Sequence, residues 1–192
     1  MRLINWDYLE VLKDFSNDSI DCLITDPPYK TTSRWCTWTT WWMLLKDVNK
    51  KWQVFKHNNV NINDYAPEFY RVLKEWSHCY IMTNHTNLID MLSIFTNSWF
   101  YFIKSLVWNK GNKIMGRFYM SQFEYILFFR KWFGKQIRNC WTSDILDIPN
   151  KKTKGLDWKN IHDTEKPITL MEVLIWNSSL EWEIVLDPFM WV

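Results

Sequence analysis

The run that most restricts this chain is Ile20-Asp21-Cys22-Leu23-Ile24-Thr25, followed at once by Asp26-Pro27-Pro28-Tyr29. A short, apolar, β-branched run reads as a strand buried on both faces, as in a parallel sheet. Two prolines cannot continue a ladder, so the strand ends there. Ligands of open α/β sheets bind at that carboxyl edge. The turn also suits a base held out of its stack. The Asp26 carboxylate and the Pro27 carbonyl can both accept hydrogen bonds from one exocyclic amine, Pro28 stiffens the turn, and Tyr29 offers a ring to stack on. An ordinary strand-ending turn with an exposed Tyr is the plainer alternative.

Two further motifs favour the first reading. With His162-Asp163-Thr164-Glu165-Lys166-Pro167 and Leu186-Asp187-Pro188-Phe189-Met190, the chain resembles the amino-methylating DNA methyltransferases over essentially its whole length. Their catalytic motif is Asp/Asn/Ser-Pro-Pro-Tyr/Phe, and their cofactor loop opens Asp-Pro-Phe-x-Gly. Catalytic motif first and cofactor loop last is the circularly permuted order of the β group. The resemblance implies that Asp26, Pro27, Pro28 and Tyr29 are catalytic. It implies that Asp7, His162, Thr164, Lys166, Asp187, Pro188, Phe189 and Trp191 bind S-adenosylmethionine, with Lys166 facing the methionine carboxylate. By itself Asp7 reads equally well as a helix N-cap.

Length points to one domain over residues 1–192, with enough apolar content for a proper core. Net charge is only +2, but its distribution is uneven. From Lys104 to Lys159 there are twelve Lys/Arg against four Asp/Glu, which leaves the rest of the chain net acidic. Such a segment fits a polyanion such as duplex DNA, or else a solvated basic face. Its candidate DNA contacts are Lys110, Lys113, Arg117, Arg130, Lys131, Lys135, Arg138, Lys151, Lys152 and Lys154. The four Cys and four His lack zinc-site spacing, so no metal is expected and the thiols read as reduced, in the cytoplasm. Neither a signal pattern nor a membrane span is expected.

The chain has 15 Trp and 4 Gly, where about 13 Gly would be usual. Trp76, Trp99, Trp182 and Trp6 fall at turn or strand-entry positions, and Trp41-Trp42 in a polar stretch. Trp191 stands where the resemblance calls for the first Gly of the cofactor loop. A gene that uses UGA for Gly, read with UGA as Trp, would give this inventory, with Trp108 in its apolar run a genuine Trp. The competing reading is a truly Trp-rich protein, aggregation-prone and obstructed at its cofactor loop.

In order, the pattern predicts a short strand at Arg2–Asn5, a brief helix through Leu12, the Ile20–Thr25 strand, and a mobile loop over 30–63. A helix from Asp64 to Glu75 follows, then a strand at Cys79–Met82 and a helix at Asn87–Phe95. Strands at Phe100–Trp108 and Glu124–Phe129 come next, with a small target-recognition segment over 130–160. A helix at Ile168–Trp176 and a strand at Glu183–Leu186 complete the series. The fold class is α/β: a single Rossmann-like, doubly wound, mostly parallel sheet with a terminal antiparallel hairpin, circularly permuted and C-terminally incomplete. The function expected from the resemblance is methyl transfer from S-adenosylmethionine to adenine N6 in double-stranded DNA, weakened or lost in the chain as written. Cytosine N4 methylation, glutamine methylation in a protein, and a DNA-binding remnant without catalysis stay open. A homodimer and a partner restriction endonuclease are further expectations.

Overall fold

The computed structural model describes residues 1–28, 60–114, 118–154 and 165–190. Strand β1 (Ile20–Thr25) is buried along its whole length, as its unbroken apolar run requires. β1 lies between β2 (Leu73–Thr83) and β6 (Val185–Leu186), and both pairings are parallel. Beyond β2 come β4 (Ser121–Arg130), β3 (Tyr101–Ile114) and β5 (Ile145–Asp147), giving the order β5-β3-β4-β2-β1-β6. β4 is antiparallel to both neighbours, and β5 is parallel to β3.

The sheet is thus mixed α/β, with a mostly parallel pairing pattern. The expected antiparallel hairpin is β3–β4, but its second strand sits inside the sheet against β2, and the short β5 forms the outer edge. Residues Arg2–Asn5 form no strand, and the chain there is exposed.

Side chains alternate between two cores with the period of two that strands impose. Ile20, Leu23, Cys79, Ile81, Leu127 and Phe129 face one side, under α1 (Tyr8–Lys13), α2 (Ile62–Val72) and α3 (Leu88–Asn97). Cys22, Ile24, Tyr80, Met82, Ile126 and Phe128 face the other, under α4 (Ile168–Ser178). Phe69, Phe95 and Phe129 are fully buried, each contributing about 1.5–3 kcal/mol. Arg71 locks α2 to the first helix by donating to the carbonyls of Leu12 and Phe15 and to Asn17.

Helix α2 begins two residues before Asp64, capped by Asn61, so residues 62 and 63 of the expected loop are helical. It ends at Val72, where Leu73 turns extended. Trp76 therefore does not terminate a helix. It lies in a bulge of β2, where Ile20 pairs with Leu73 and Cys22 with His78, so that several β2 residues oppose one of β1.

At the amino end of the parallel strands a buried polar chain closes the structure. His78 Nε2 is 2.9 Å from the Lys135 carbonyl, which can only accept, so Nε2 carries the proton. Nδ1 then accepts from Ser178 Oγ, which in turn accepts from Tyr80 Oη. Burial lowers the His78 pKa to about 4, although the hydrogen bond to Lys135 opposes the shift. Among the described residues no helix is long and apolar enough to cross a membrane, and no cluster of three or more His, Cys, Asp or Glu could hold a metal.

Candidate active site

Strand β1 is linked to β2 through α2 on one face of the sheet, whereas β6 is reached through α4 on the other. Adjacent strands whose connections lie on opposite faces open a crevice at their carboxyl ends. The residues that follow β1 and β6 are Asp26 and Asp187, so the two Asp-Pro motifs, 161 positions apart in sequence, meet at that crevice. Because β4 runs the other way, its first residues, including Glu124, come to the same edge.

Lys166, just before α4, donates to Asp26 Oδ2 and lies 3.8 Å from Glu124 Oε2. Glu124 Oε1 takes a second ammonium, Lys110 Nζ, at 2.6 Å. The result is a row of alternating charges, Lys110, Glu124, Lys166 and Asp26, largely withdrawn from water. Asp26 Oδ1 is buried and has no hydrogen-bond partner among the described residues. Beside it, Asp187 Oδ1 accepts from the buried Thr25 hydroxyl at 2.5 Å and from the Phe189 amide at 3.1 Å, which fixes the turn after β6.

Burial raises the pKa of Asp26 against the opposing pull of Lys166, and burial likewise raises that of Asp187. Lys166 is lowered by burial, but the Asp26 and Glu124 carboxylates outweigh this and its net shift is upward. The two partners pull in opposite senses on the Asp26–Lys166 pair. The direction the contacts carry is a firmly charged Lys166, since two carboxylates lie against one ammonium.

Several of the expected site residues have other partners. Asp7 caps α1, accepting from the amides of Leu9 and Glu10. Phe189 packs its ring among Tyr8, Tyr65 and Phe69, closing the first core. Pro27 is buried and Pro28 half-buried. Lys166, matched by the resemblance to a cofactor carboxylate, is held by Asp26. Tyr29, Arg117, His162, Thr164 and Trp191 lie outside the described residues, as does most of the 30–63 stretch.

The candidate DNA contacts separate into two groups. Arg130, Lys131, Lys135 and Arg138 lie at the amino edge, about 20 Å of strand away from Glu124. There Arg130 stacks on Tyr101, Lys131 is buried against Asp18 and the Leu73 carbonyl, Lys135 pairs with Glu183, and Arg138 stacks on Trp176. Lys110, Lys113, Lys151, Lys152 and Lys154 lie at the carboxyl edge with Asp26; Lys110 is buried, whereas Lys113 and Lys151 are exposed. Sequence reasoning overlooked Glu124 and Thr25. A signal for Glu124 was present: it is the one acidic residue between Lys104 and Asp144.

Fold and crevice together define a Rossmann-like α/β protein with an open crevice at its strand switch point. Residues 131–190 match the model of a family described as DNA methylase. The chain is 25% identical over 210 residues to the type II methyltransferase M.HinfI of Haemophilus influenzae, covering 97% of this chain and 58% of that protein. It thus spans a little over half the length of that relative. In fold it is similar to M1.HpyAVI in complex with SAM (TM-score 0.63, 20% identity, 96% of this chain and 79% of the other). It is also similar to the PvuII DNA methyltransferase, cytosine-N4-specific (TM-score 0.68, 14% identity, 95% and 71%). Over residues 131–190 the chain is thus similar to that DNA methylase family, and along most of its length it is similar to these methyltransferases.

Proposed function

We propose that this chain carries the catalytic region of an S-adenosylmethionine-dependent DNA methyltransferase of the permuted β group, acting on the N6 amine of adenine in duplex DNA. The observation that carries the reading is Asp26 Oδ1, a buried acceptor without a partner, next to the Pro27 carbonyl at the sheet's switch point. An exocyclic amine has the two donors such a pair requires.

The residues present fit the cofactor. Asp187 and the turn through Pro188 and Phe189 would hold it in the crevice, with Asp7, His162, Thr164 and Trp191 as the further contacts the resemblance implies. When bound, S-adenosylmethionine supplies a methyl group already activated on a positively charged sulfur. The chain's own part is to orient the acceptor. Asp26 Oδ1 and the Pro27 carbonyl would accept hydrogen bonds from the two amine N–H groups, leaving the nitrogen lone pair free to attack. As that nitrogen becomes positive, the Asp26 carboxylate stabilises it, and the upward-shifted Asp26 can accept the proton the nitrogen sheds. Lys166 anchors the other oxygen and so keeps Oδ1 aimed. Tyr29 stacks on the extruded base, and Lys113, Lys151, Lys152 and Lys154 approach the phosphates beside it.

The test is methyl transfer from labelled S-adenosylmethionine to duplex DNA, with the methylated base identified by mass spectrometry. N6-methyladenine that disappears in Asp26→Ala supports the reading. N4-methylcytosine would replace it with the reaction for which the PvuII enzyme is named, a choice kept open by that fold likeness. DNA binding without saturable S-adenosylmethionine binding would make the chain a DNA-binding remnant. The same reading places the protein in the cytoplasm, as a homodimer beside a restriction endonuclease of matching specificity.

A further inference from the structure

We infer that Trp76, Trp99, Trp132 and Trp182 are glycine in the protein as its own cell makes it, the codon UGA being read there as Gly and in this sequence as Trp. The inference is independent of the reaction proposed above and rests on backbone geometry. Among the described residues five that are not Gly have φ in the left-handed region: Asp18 and these four Trp. Asp is a residue type that enters this region with local hydrogen bonding, whereas a bulky aromatic side chain there is a genuine outlier. Trp supplies 15 of 192 residues yet four of these five positions.

At Trp99 and Trp182 the surrounding hydrogen bonds define a motif that calls for Gly. Helix α3 ends with the Phe100 amide bonded to the Phe95 carbonyl and the Trp99 amide to the Thr96 carbonyl. That is a Schellman C-terminus, with Trp99, φ 67°, in the position that Gly ordinarily fills. The turn Leu180-Glu181-Trp182-Glu183 closes with the Glu183 amide on the Leu180 carbonyl. Trp182, φ 71°, is its third residue, where a type II turn requires a positive φ. Trp76, φ 74°, is in the β2 bulge, fixed by its amide on the Lys131 carbonyl, and Trp132, φ 58°, begins the turn that leaves β4. Gly111, one of the chain's four glycines, holds the same backbone at φ 74°.

The side chains gain little in return. Their exposures run from 52% at Trp76 to 92% at Trp182, so they present large apolar surfaces to water. Trp108 behaves oppositely: it is 1% exposed and its Nε1 donates to the Ile148 carbonyl at 2.8 Å. A tryptophan selected as tryptophan looks like that one. Trp6 is exposed but has no left-handed backbone, so its geometry adds nothing to the inference.

Two measurements test this. In the source gene, UGA is expected at positions 76, 99, 132 and 182 and UGG at position 108, with peptides from the native protein carrying Gly at the four sites. UGG at those four would overturn the inference. In the purified chain, each of Trp76→Gly, Trp99→Gly, Trp132→Gly and Trp182→Gly is expected to raise Tm by about 2–4 °C, whereas Trp108→Gly lowers it. A quadruple variant melting no higher than the chain as written would overturn it too. The gene and peptide readings need no folded recombinant protein.

Discussion

Two lysines largely withdrawn from water at opposite edges of one sheet show how the same residue type can be enclosed by acceptors in one place and leave its partner's acceptor open in another. Lys131, at the amino edge, pairs with Asp18, donates to the Leu73 carbonyl and lies over the Tyr70 ring. It is surrounded by acceptors, one of them a half-exposed carboxylate that water also screens. Lys166, at the carboxyl edge, is shared between Asp26 and Glu124, and its partner Asp26 keeps one buried oxygen without a donor. A buried polar atom left unpaired costs free energy unless a ligand completes it, which is the ground for proposing Asp26 as a binding point. At the amino edge Lys131 already has the partners it requires, although Arg130 Nε there is also buried without an acceptor among the described residues.

The largest expected effect breaks the carboxyl edge at its centre. Asp26→Ala removes both the acceptor and the charge, and methyl transfer should fall by about 10³-fold with the circular dichroism spectrum retained; an active variant would remove Asp26 from the chemistry. Next, Lys166→Met and Lys131→Met each leave a carboxylate without its cation. Lys166→Met should cost about 3 kcal/mol, because Asp26 is largely withdrawn from water, and should also reduce transfer per folded molecule by about 10²-fold. Lys131→Met should lower the urea midpoint but leave transfer per folded molecule unchanged. Equal catalytic losses in both variants would erase the distinction between the edges.

The amino edge should show itself in acid instead. The His78 pKa is depressed to about 4, below its unfolded value near 6.5, so its contribution is present above pH 6.5 and is lost as pH falls through about 4. Unfolding free energy should drop by about 3 kcal/mol more in the parent than in His78→Gln between pH 7 and pH 4; parallel curves for the two would show that His78 titrates normally. Glu124→Gln sharpens the carboxyl edge more gently. Removing a carboxylate that raises the Asp26 pKa should move the acid limb of the pH–rate profile downward, with about a tenfold loss of rate. The smallest effect separates the lysines: Lys113→Ala or Lys151→Ala should reduce the salt slope of DNA binding by about 1, and Lys135→Ala should not change it.

Much of the fold was legible because it is local. Continuous apolar runs marked β1 and the core of β2, the 3–4 spacing of Leu88, Met91, Leu92 and Phe95 marked α3, and two prolines marked the end of β1. The end of α2 was misplaced by three residues, since Leu73, Lys74 and Glu75 suit a helix by composition and only pairing with β1 draws them into a strand. Ten basic residues read as one surface because they share one stretch of sequence. Strand β4 crosses the sheet from one edge to the other within that stretch and carries part of them away from Asp26.

The sequence alone determined which residue types stand at the ends of β1 and β6, and its excess of Trp over Gly pointed to backbone positions that a side chain should not occupy. Those are properties of neighbouring residues, set by sterics and by the periods of helix and strand. Only the tertiary structure decided that Lys166 meets Asp26 across 140 positions, that Glu124 joins them, and that Lys131 is a structural cation. Strand order and direction are chosen by the burial of whole faces, so no local pattern announces which distant charges will share a low-dielectric edge.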